Sequence, residues 1–416
     1  MGIVVGVLDE KGSRVFAEGK RTAADKKPMD GDTVFEIGSI TKAFTAILLA
    51  DMSLRGEVKL DYPVSKYLPE TVKIPLFEGR AITLLDLTTQ TSALPRMPSN
   101  FHPADGSNPY ADYTVNQMYE FLSGVQLKRS PGEKYDYSNL GVGLLGHALA
   151  RRAGKSYEEL VTDRILKPLQ MTRSSITLSA VQKSNMAMGH SDQLAQVNNW
   201  DLPTFAGAGA LRSTANDMLK FMAANMGLSD TPLRKAMELS HQIRTGTGSA
   251  DLSIAMGWHV FDKFNTRVIW HNGGTGGYRT WAGFVPSKKT AVVVLCNTNF
   301  GVDDLGLHLS ASEFPAKILE PRMEKKEVSV APEVLRPYVG KYALAPTFIM
   351  TVTEEEGKLS LQATGQPKFR IYPESPVKFF LKEVEAAVSF EKSETGEVTG
   401  VILHQNGSNQ KAKRVP

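Results

Sequence analysis

Between Gly38 and Gly56, Ile40, Phe44, Ile47, Leu48 and Met52 recur at helical spacing, and Ala43, Ala46, Leu49 and Ala50 leave almost no polar face. The pattern predicts a buried central helix running to about residue 54. Ahead of it, apolar runs at 3–8 and 14–18 flank a polar turn at 9–13, the signature of a β-hairpin, and a short strand at 34–37 leads into the helix. From about 60 to 205 the pattern changes to helical patches broken by Pro and Gly, at 84–89, 115–122, 140–153 and 157–166. Loops rich in Pro, Ser, Asn and Asp at 95–112 and 184–202 are candidate cleft walls. A helix at 215–226 follows, and then β-branched runs at 253–261, 267–271, 281–286 and 290–297 predict an antiparallel sheet that the first hairpin joins.

A further helix at 303–319 is expected to cover that sheet, and the charged stretch 320–327 reads as a linker. Beyond it, eight short strand patterns alternate with turns at Glu356-Gly357, Thr364-Gly365, Thr395-Gly396 and Asn406-Gly407. The inferred fold is α+β: an antiparallel sheet flanked by helices with an inserted all-α domain, then a small all-β barrel or sandwich. The expected domains are 1–325, with the insertion at about 60–205, and 333–416.

Composition narrows the function classes. The chain has 416 residues, 42% of them apolar, and a net charge of +4 with Lys and Arg interleaved among Asp and Glu. No basic stripe or RNA-binding aromatic motif occurs, so nucleic acid is not an expected partner. No run of about 18 apolar residues predicts a membrane span. The first residues lack a basic n-region and a cleavage site and read as a strand. The single cysteine, Cys296, excludes an internal disulfide and lies in an apolar strand pattern. The eight histidines lack metal-ligand spacing, so neither metal nor cofactor is expected.

The candidate chemistry begins at Ser39 and Lys42. A serine in the N-cap or first turn of the buried helix meets unpaired backbone N–H groups, and a lysine three residues on shares its helix face. A hydroxyl beside a desolvated amine is the start of an acyl-transfer site. The spacing alone is not specific, because it recurs at Ser375/Lys378, Ser389/Lys392 and Ser408/Lys411. Those pairs fall in strand-and-turn patterns. Company decides the matter: Tyr137-Ser138-Asn139 is the one Tyr-x-Asn in the chain, and His271-Asn272-Gly273 the one His-x-Gly. Gly273-Gly274-Thr275-Gly276-Gly277 permits close backbone approach but matches neither the P-loop nor the dinucleotide fingerprint. Arg279 is expected to be structural, with binding of a substrate carboxylate as the alternative.

Taken in order, these three motifs resemble the serine β-lactamase and penicillin-binding protein superfamily, in its class C β-lactamase-like branch with DD-peptidases, D-aminopeptidases and family VIII carboxylesterases. Secondary signatures extend the resemblance over residues 2–319: Thr88 to Pro95, Pro131-Gly132-Glu133, Pro168 to Met171, Gly209 to Thr214 and Gly257-Trp258. The tail resembles the lipocalin-like domains some members carry.

The resemblance implies that Ser39 is the acylated nucleophile and that Lys42 and Tyr137 share general-base duty. It implies that Asn139 bonds either Lys42 or the substrate, that His271, Asn272, Gly273 and Gly274 form the strand edge along which substrate lies, and that Ser39 and Gly274 N–H groups make an oxyanion hole. The implied substrates are small esters or β-lactams first, D-amino-acid peptides second, in a periplasmic or secreted setting. A non-catalytic ligand-binding or envelope-interaction protein is the alternative from another class. Three departures stand out: His271 replaces the lysine of β-lactamases, and Gln90 and Ala93 replace the usual His and Gly.

Overall fold

The computed structural model of the chain describes residues 1–22, 28–316, 327–345, 348–355, 357–366, 368–381, 386–405 and 408–415. It divides into two units, residues 1–317 and 318–416. The expected linker at 320–327 and the Asn406-Gly407 turn fall almost wholly outside the described residues.

The first unit is built on an eight-stranded antiparallel sheet. Its strands are β1 (Gly2–Asp9), β2 (Gly12–Gly19), β3 (Thr245–Gly246), β4 (Leu252–Ile254), β5 (His259–Lys263), β6 (Thr266–Gly274), β7 (Arg279–Val285) and β8 (Thr290–Cys296), in the order β2-β1-β8-β7-β6-β5-β4-β3. The register Ile3↔Cys296 to Leu8↔Ala291 joins the two ends of the unit. The strand expected at 253–261 is two, β4 and β5, separated at Gly257. That residue has φ +67, and a Cβ there would stand 2.6 Å from the Lys42 carbonyl oxygen, so only glycine lets the chain turn against the central helix.

That helix is α1 (Thr41–Leu54), and every residue from Thr41 to Met52 is buried. It needs no polar face because the sheet side and the insertion enclose it. Phe44 stacks on Phe221 of α3 (Ala215–Asn225) with ring centroids 4.0 Å apart. The insertion contributes α2 (Asn139–Ala153), which Ser138 caps by accepting from Gly141 N at 2.8 Å and which stops at Gly154 in the left-handed conformation. On the other sheet face, α4 (Asp303–Ser310) covers Trp281 and the β8 residues Val292 and Val294. It ends about nine residues short of the expected helix end; residues 317–326 lie outside the described residues. The strand expected at 34–37 does not join the main sheet. Only Phe35–Glu36 is extended, paired with Arg212–Ser213.

The second unit is a closed barrel of eight strands: β9 (Gly340–Ala345), β10 (Phe348–Glu355), β11 (Lys358–Ala363), β12 (Lys368–Pro373), β13 (Lys378–Leu381), β14 (Ala386–Lys392), β15 (Val398–Gln405) and β16 (Ser408–Val415). Each matches one of the eight predicted strands, and β16 closes onto β9. Tyr338, Tyr342, Phe379 and Phe390 fill its core.

Candidate active site

Ser39 sits in a single 3₁₀ turn, Gly38–Ile40, that runs directly into α1. Its side chain does not cap the helix, contrary to one of the two expected placements. The turn is braced from three sides: Thr41 Oγ1 donates to Gly38 O at 2.7 Å, Ile37 N to Leu211 O at 3.1 Å, and Thr280 Oγ1 to Ile37 O at 3.0 Å.

Lys42, one turn on, is 1% exposed. Its Nζ lies 2.9 Å from Ser39 Oγ, 2.9 Å from Asn139 Oδ1 and 2.7 Å from Ala208 O. Burial holds the amine well below the ordinary lysine range, and the Arg96 charge pushes the same way. Two of its three partners are carbonyl oxygens, which only accept. A neutral amine has two N–H groups for them and one lone pair, which is then left for the Ser39 hydroxyl.

Tyr137 lies against this pair, with Lys42 Nζ 4.9 Å from its ring centroid. Burial raises its phenol above the ordinary range, while a hydrogen bond with Ser39 and the Arg96 charge oppose that rise. The Tyr-Ser-Asn segment is fixed by Gln90, whose Oε1 accepts from Ser138 N at 2.7 Å and whose carbonyl accepts from Asp136 N at 2.7 Å. Gln90 and Ala93 both adopt positive φ, 61° and 62°. Gln90 therefore has a definite job here: its amide holds the second motif in place.

His271 and Gly273 face the site from β6, whereas Asn272 does not. The Asn272 side chain turns to the opposite sheet face and donates to Asp303 Oδ2 at 2.7 Å, a strand–helix tie, while its backbone belongs to the expected strand edge. The period of two along a strand explains why. Gly273 packs so closely on the Ser39 turn that a Cβ there would lie 2.0 Å from Ile37 O. His271 is buried and held well below the ordinary imidazole range by burial first, then by His259 and Lys42. Its Nδ1–H donates to Asn272 O at 2.5 Å, which leaves Nε2 as an acceptor. The third motif thus offers a neutral ring where a lysine would offer a cation. Arg279 is structural as expected: its Nη1 donates to Thr275 O and Tyr278 O, each at 3.0 Å.

Gly38, Ser39, Tyr110, Asn139, Trp200, Phe205 and Gly274 line a narrow space of about 30 Å³ over the nucleophile. A larger cavity of about 870 Å³ shares Leu202 with it but holds none of the three motifs. Its Arg212 already pairs with Glu36 at 3.2 Å and Asp201 at 3.0 Å, and its Glu158 accepts from Ile176 N and Thr177 N. Among the described residues no helix is long and apolar enough to cross a membrane, and no three metal-binding side chains converge. Sequence reasoning missed Arg96, which directly follows the Thr88 to Pro95 signature, and the Ala208 carbonyl, and it noted Gln90 as a departure without giving it a role.

An antiparallel sheet with helices on both faces and a helical insertion bearing Tyr-x-Asn defines a hydrolase of the β-lactamase and penicillin-binding protein type. A profile of the beta-lactamase family matches residues 1–311, and the chain belongs to that family. Residues 324–414 match a family described as a domain of unknown function, DUF3471. The chain is 31% identical over 343 residues to the D-alanyl-D-alanine-carboxypeptidase/endopeptidase AmpH of Escherichia coli (strain K12), covering 75% of this chain and 86% of that protein. It is 27% identical over 420 residues to penicillin-binding protein 4* of Bacillus subtilis (strain 168), covering 94% and 89%, so that likeness takes in the barrel. Among solved structures, a beta-lactamase/D-alanine carboxypeptidase from Yersinia pestis complexed with citrate superposes with TM-score 0.67 at 26% identity, covering 75% of this chain and 93% of that one.

Proposed function

We propose that the chain hydrolyses D-alanyl peptides through an acyl-enzyme on Ser39, and that β-lactams acylate the same serine. The observation that carries this is the Lys42 amine, buried and shared among Ser39 Oγ, Asn139 Oδ1 and Ala208 O. With its two N–H groups given to the carbonyls, the neutral amine takes the Ser39 proton as Oγ attacks the substrate carbonyl. The negative charge that forms on the carbonyl oxygen falls to the Ser39 and Gly274 N–H groups. Tyr137, protonated at neutral pH, is suited to pass a proton to the departing nitrogen. The phenolate so formed takes back a proton from the Lys42 ammonium, so the net transfer runs from the Ser39 hydroxyl to the departing nitrogen and the general base is Lys42. Deacylation repeats the sequence with water in place of the serine hydroxyl.

Two findings favour peptides over β-lactams as the turned-over substrate. The relative of highest stated identity carries a D-alanyl-D-alanine carboxypeptidase name, and His271 supplies no cation where β-lactamases have lysine. Small uncharged esters are the second reading, because a neutral His271 makes no demand for a substrate carboxylate. An intact-mass time course with benzylpenicillin tests the site: a persistent penicilloyl adduct on wild type, absent from Ser39→Ala, is the expected result. Absence of any adduct, with penicillin recovered intact and D-alanyl peptides uncleaved, sinks it.

A further inference from the structure

The wall between the narrow space over Ser39 and the cavity of about 870 Å³ is one residue thick. Trp200, Phe205 and Gly209 line the narrow space, and their chain neighbours Asp201, Ala206 and Ala210 line the cavity. Leu202 lines both. Its buried side chain lies across Gly209 from the nucleophile's turn: a Cβ on Gly209 would stand 3.3 Å from Leu202 Cδ2 and 3.8 Å from the Gly38 carbonyl carbon. The wall is also held from behind. Glu36 Oε1 accepts from Trp200 N at 2.9 Å, and Arg212 Nη2 donates to Trp200 O at 2.9 Å. Because Glu36 and Arg212 pair with each other, one buried ion pair clamps both backbone groups of Trp200. The Tyr110 ring packs against the Trp200 indole with centroids 5.3 Å apart. The space of about 30 Å³ that this leaves beside Ser39 has room for about one methyl-sized group.

We propose that Leu202 sets the size of the substituent that Ser39 accepts on the acyl side, by closing off a ready-made cavity behind it. The inference rests on the acyl-enzyme reading above. An acyl group whose carbonyl oxygen meets the Ser39 and Gly274 N–H groups carries two arms on the carbon next to that carbonyl. One arm runs out along β6, which pairs with β5 only as far as Trp270 but continues to Gly274. The other turns inward to Gly209 and Leu202. There a methyl fits, and each further methylene has to displace a side chain that is packed on one face and clamped on the next. One methylene in a closed pocket is worth about 10–200-fold in rate. Behind the wall a longer alkyl arm would meet a suitable lining, since Ile176, Leu178, Met186 and Met188 face the cavity. Neither the three motifs nor the wider signatures assign a role to Leu202.

The test uses p-nitrophenyl esters of N-acetyl-D-alanine, N-acetyl-D-norvaline and N-acetyl-D-norleucine, which keep the amide arm and lengthen the other. The norleucine side chain exceeds that of alanine by as many carbons as Leu202→Ala removes. Wild type is expected to favour the alanine ester over the norleucine ester by about 100-fold or more in kcat/KM. Leu202→Ala brings that ratio within about tenfold, and Leu202→Val recovers norvaline only in part. In the double variant Leu202→Ala/Ala206→Leu the refilled cavity restores the discrimination. A wild type that takes norleucine as readily as alanine overturns the proposal, and so do ratios that Leu202→Ala leaves unchanged. If both Leu202 variants lose all three esters together, the residue serves the fold and the proposal falls. Ester hydrolysis that persists in Ser39→Ala refutes the acyl-enzyme reading as well. Hydrolysis abolished in Ser39→Ala, with ratios that no Leu202 variant moves, refutes this inference alone. A wild type that forms the penicilloyl adduct but hydrolyses none of the esters does the same, and one that does neither refutes both.

Discussion

Among the described residues, two serine hydroxyls touch a basic side chain, and only one is placed to use it. Ser39 meets Lys42 at 2.9 Å at the junction of a buried helix, a helical insertion and a sheet edge. Ser389 meets His404 Nε2 at 2.8 Å, and His404 Nδ1 lies 2.7 Å from Asn409 Oδ1, so the barrel holds a serine–histidine–asparagine line with good distances. Yet Ser389 stands between Val388 and Phe390, both in the barrel core, and therefore faces outward on a flat strand with Asn409 exposed. Among the described residues of the barrel, no glycine-rich backbone approaches it. Distances between a hydroxyl and a base are common across β-ladders. Desolvation of the base and backbone donors for the developing charge are what distinguish the first site.

The comparison breaks most sharply by mutation. Ser39→Ala should lower turnover by at least about 10⁴-fold, with an unchanged melting curve, while Ser389→Ala leaves turnover alone. Penicilloyl label mapped to Ser389 in the peptide digest would reverse the assignment. Lys42→Met should cost about 10²–10⁴-fold in kcat. It should also change the pH dependence of stability. The Lys42 amine titrates lower in the folded than in the unfolded chain, so between the two values the unfolded chain holds more protons and stability rises with pH. Lys42→Met should flatten that rise in melts taken from pH 7 to 10; an unaltered slope would show that the amine is charged in its pocket. The activity of the wild type should correspondingly fall on the acid side as Lys42 gains its proton.

Smaller effects sharpen the role of the supporting shell. Gln90→Asn tolerates the left-handed backbone but does not reach Ser138 N, and should cost about 1–3 kcal/mol of stability with a several-fold drop in kcat. Gly257→Ala should cost a similar amount, about 1–3 kcal/mol, from the strained backbone alone, and more from the contact with the Lys42 carbonyl. Chemical denaturation reads both. Least affected of all, Ser389→Ala should lose about 0.5–1.5 kcal/mol from the barrel and nothing from catalysis.

Much of this was legible in the chain. Continuous apolar density from Ile40 to Met52 marked α1 as buried, because no polar stripe was left to meet water, and short strand patterns separated by Gly-containing turns marked the eight barrel strands. What escaped was set by contacts distant in sequence. The break between β4 and β5 depends on the Lys42 carbonyl more than 200 residues earlier. The Phe35–Glu36 segment was extended as expected, but its pairing with Arg212–Ser213 has no local signal. Asn272 was assigned to the substrate because its motif is; the alternation of a strand sends its side chain to Asp303 instead.

The pairing of β1 with β8 also bears on how the protein is made. At a synthesis rate of about 5–20 residues per second, the first strand waits roughly 15–60 s before its partner is translated. Until then the edge of β1 that pairs with β8 stays open, and the sheet that shapes the nucleophile's turn is incomplete. Emerging chains of this enzyme are thus expected to be clients of holding chaperones for most of their translation. Moving β1 and β2 to follow β8 by circular permutation would remove the wait, and with it that dependence.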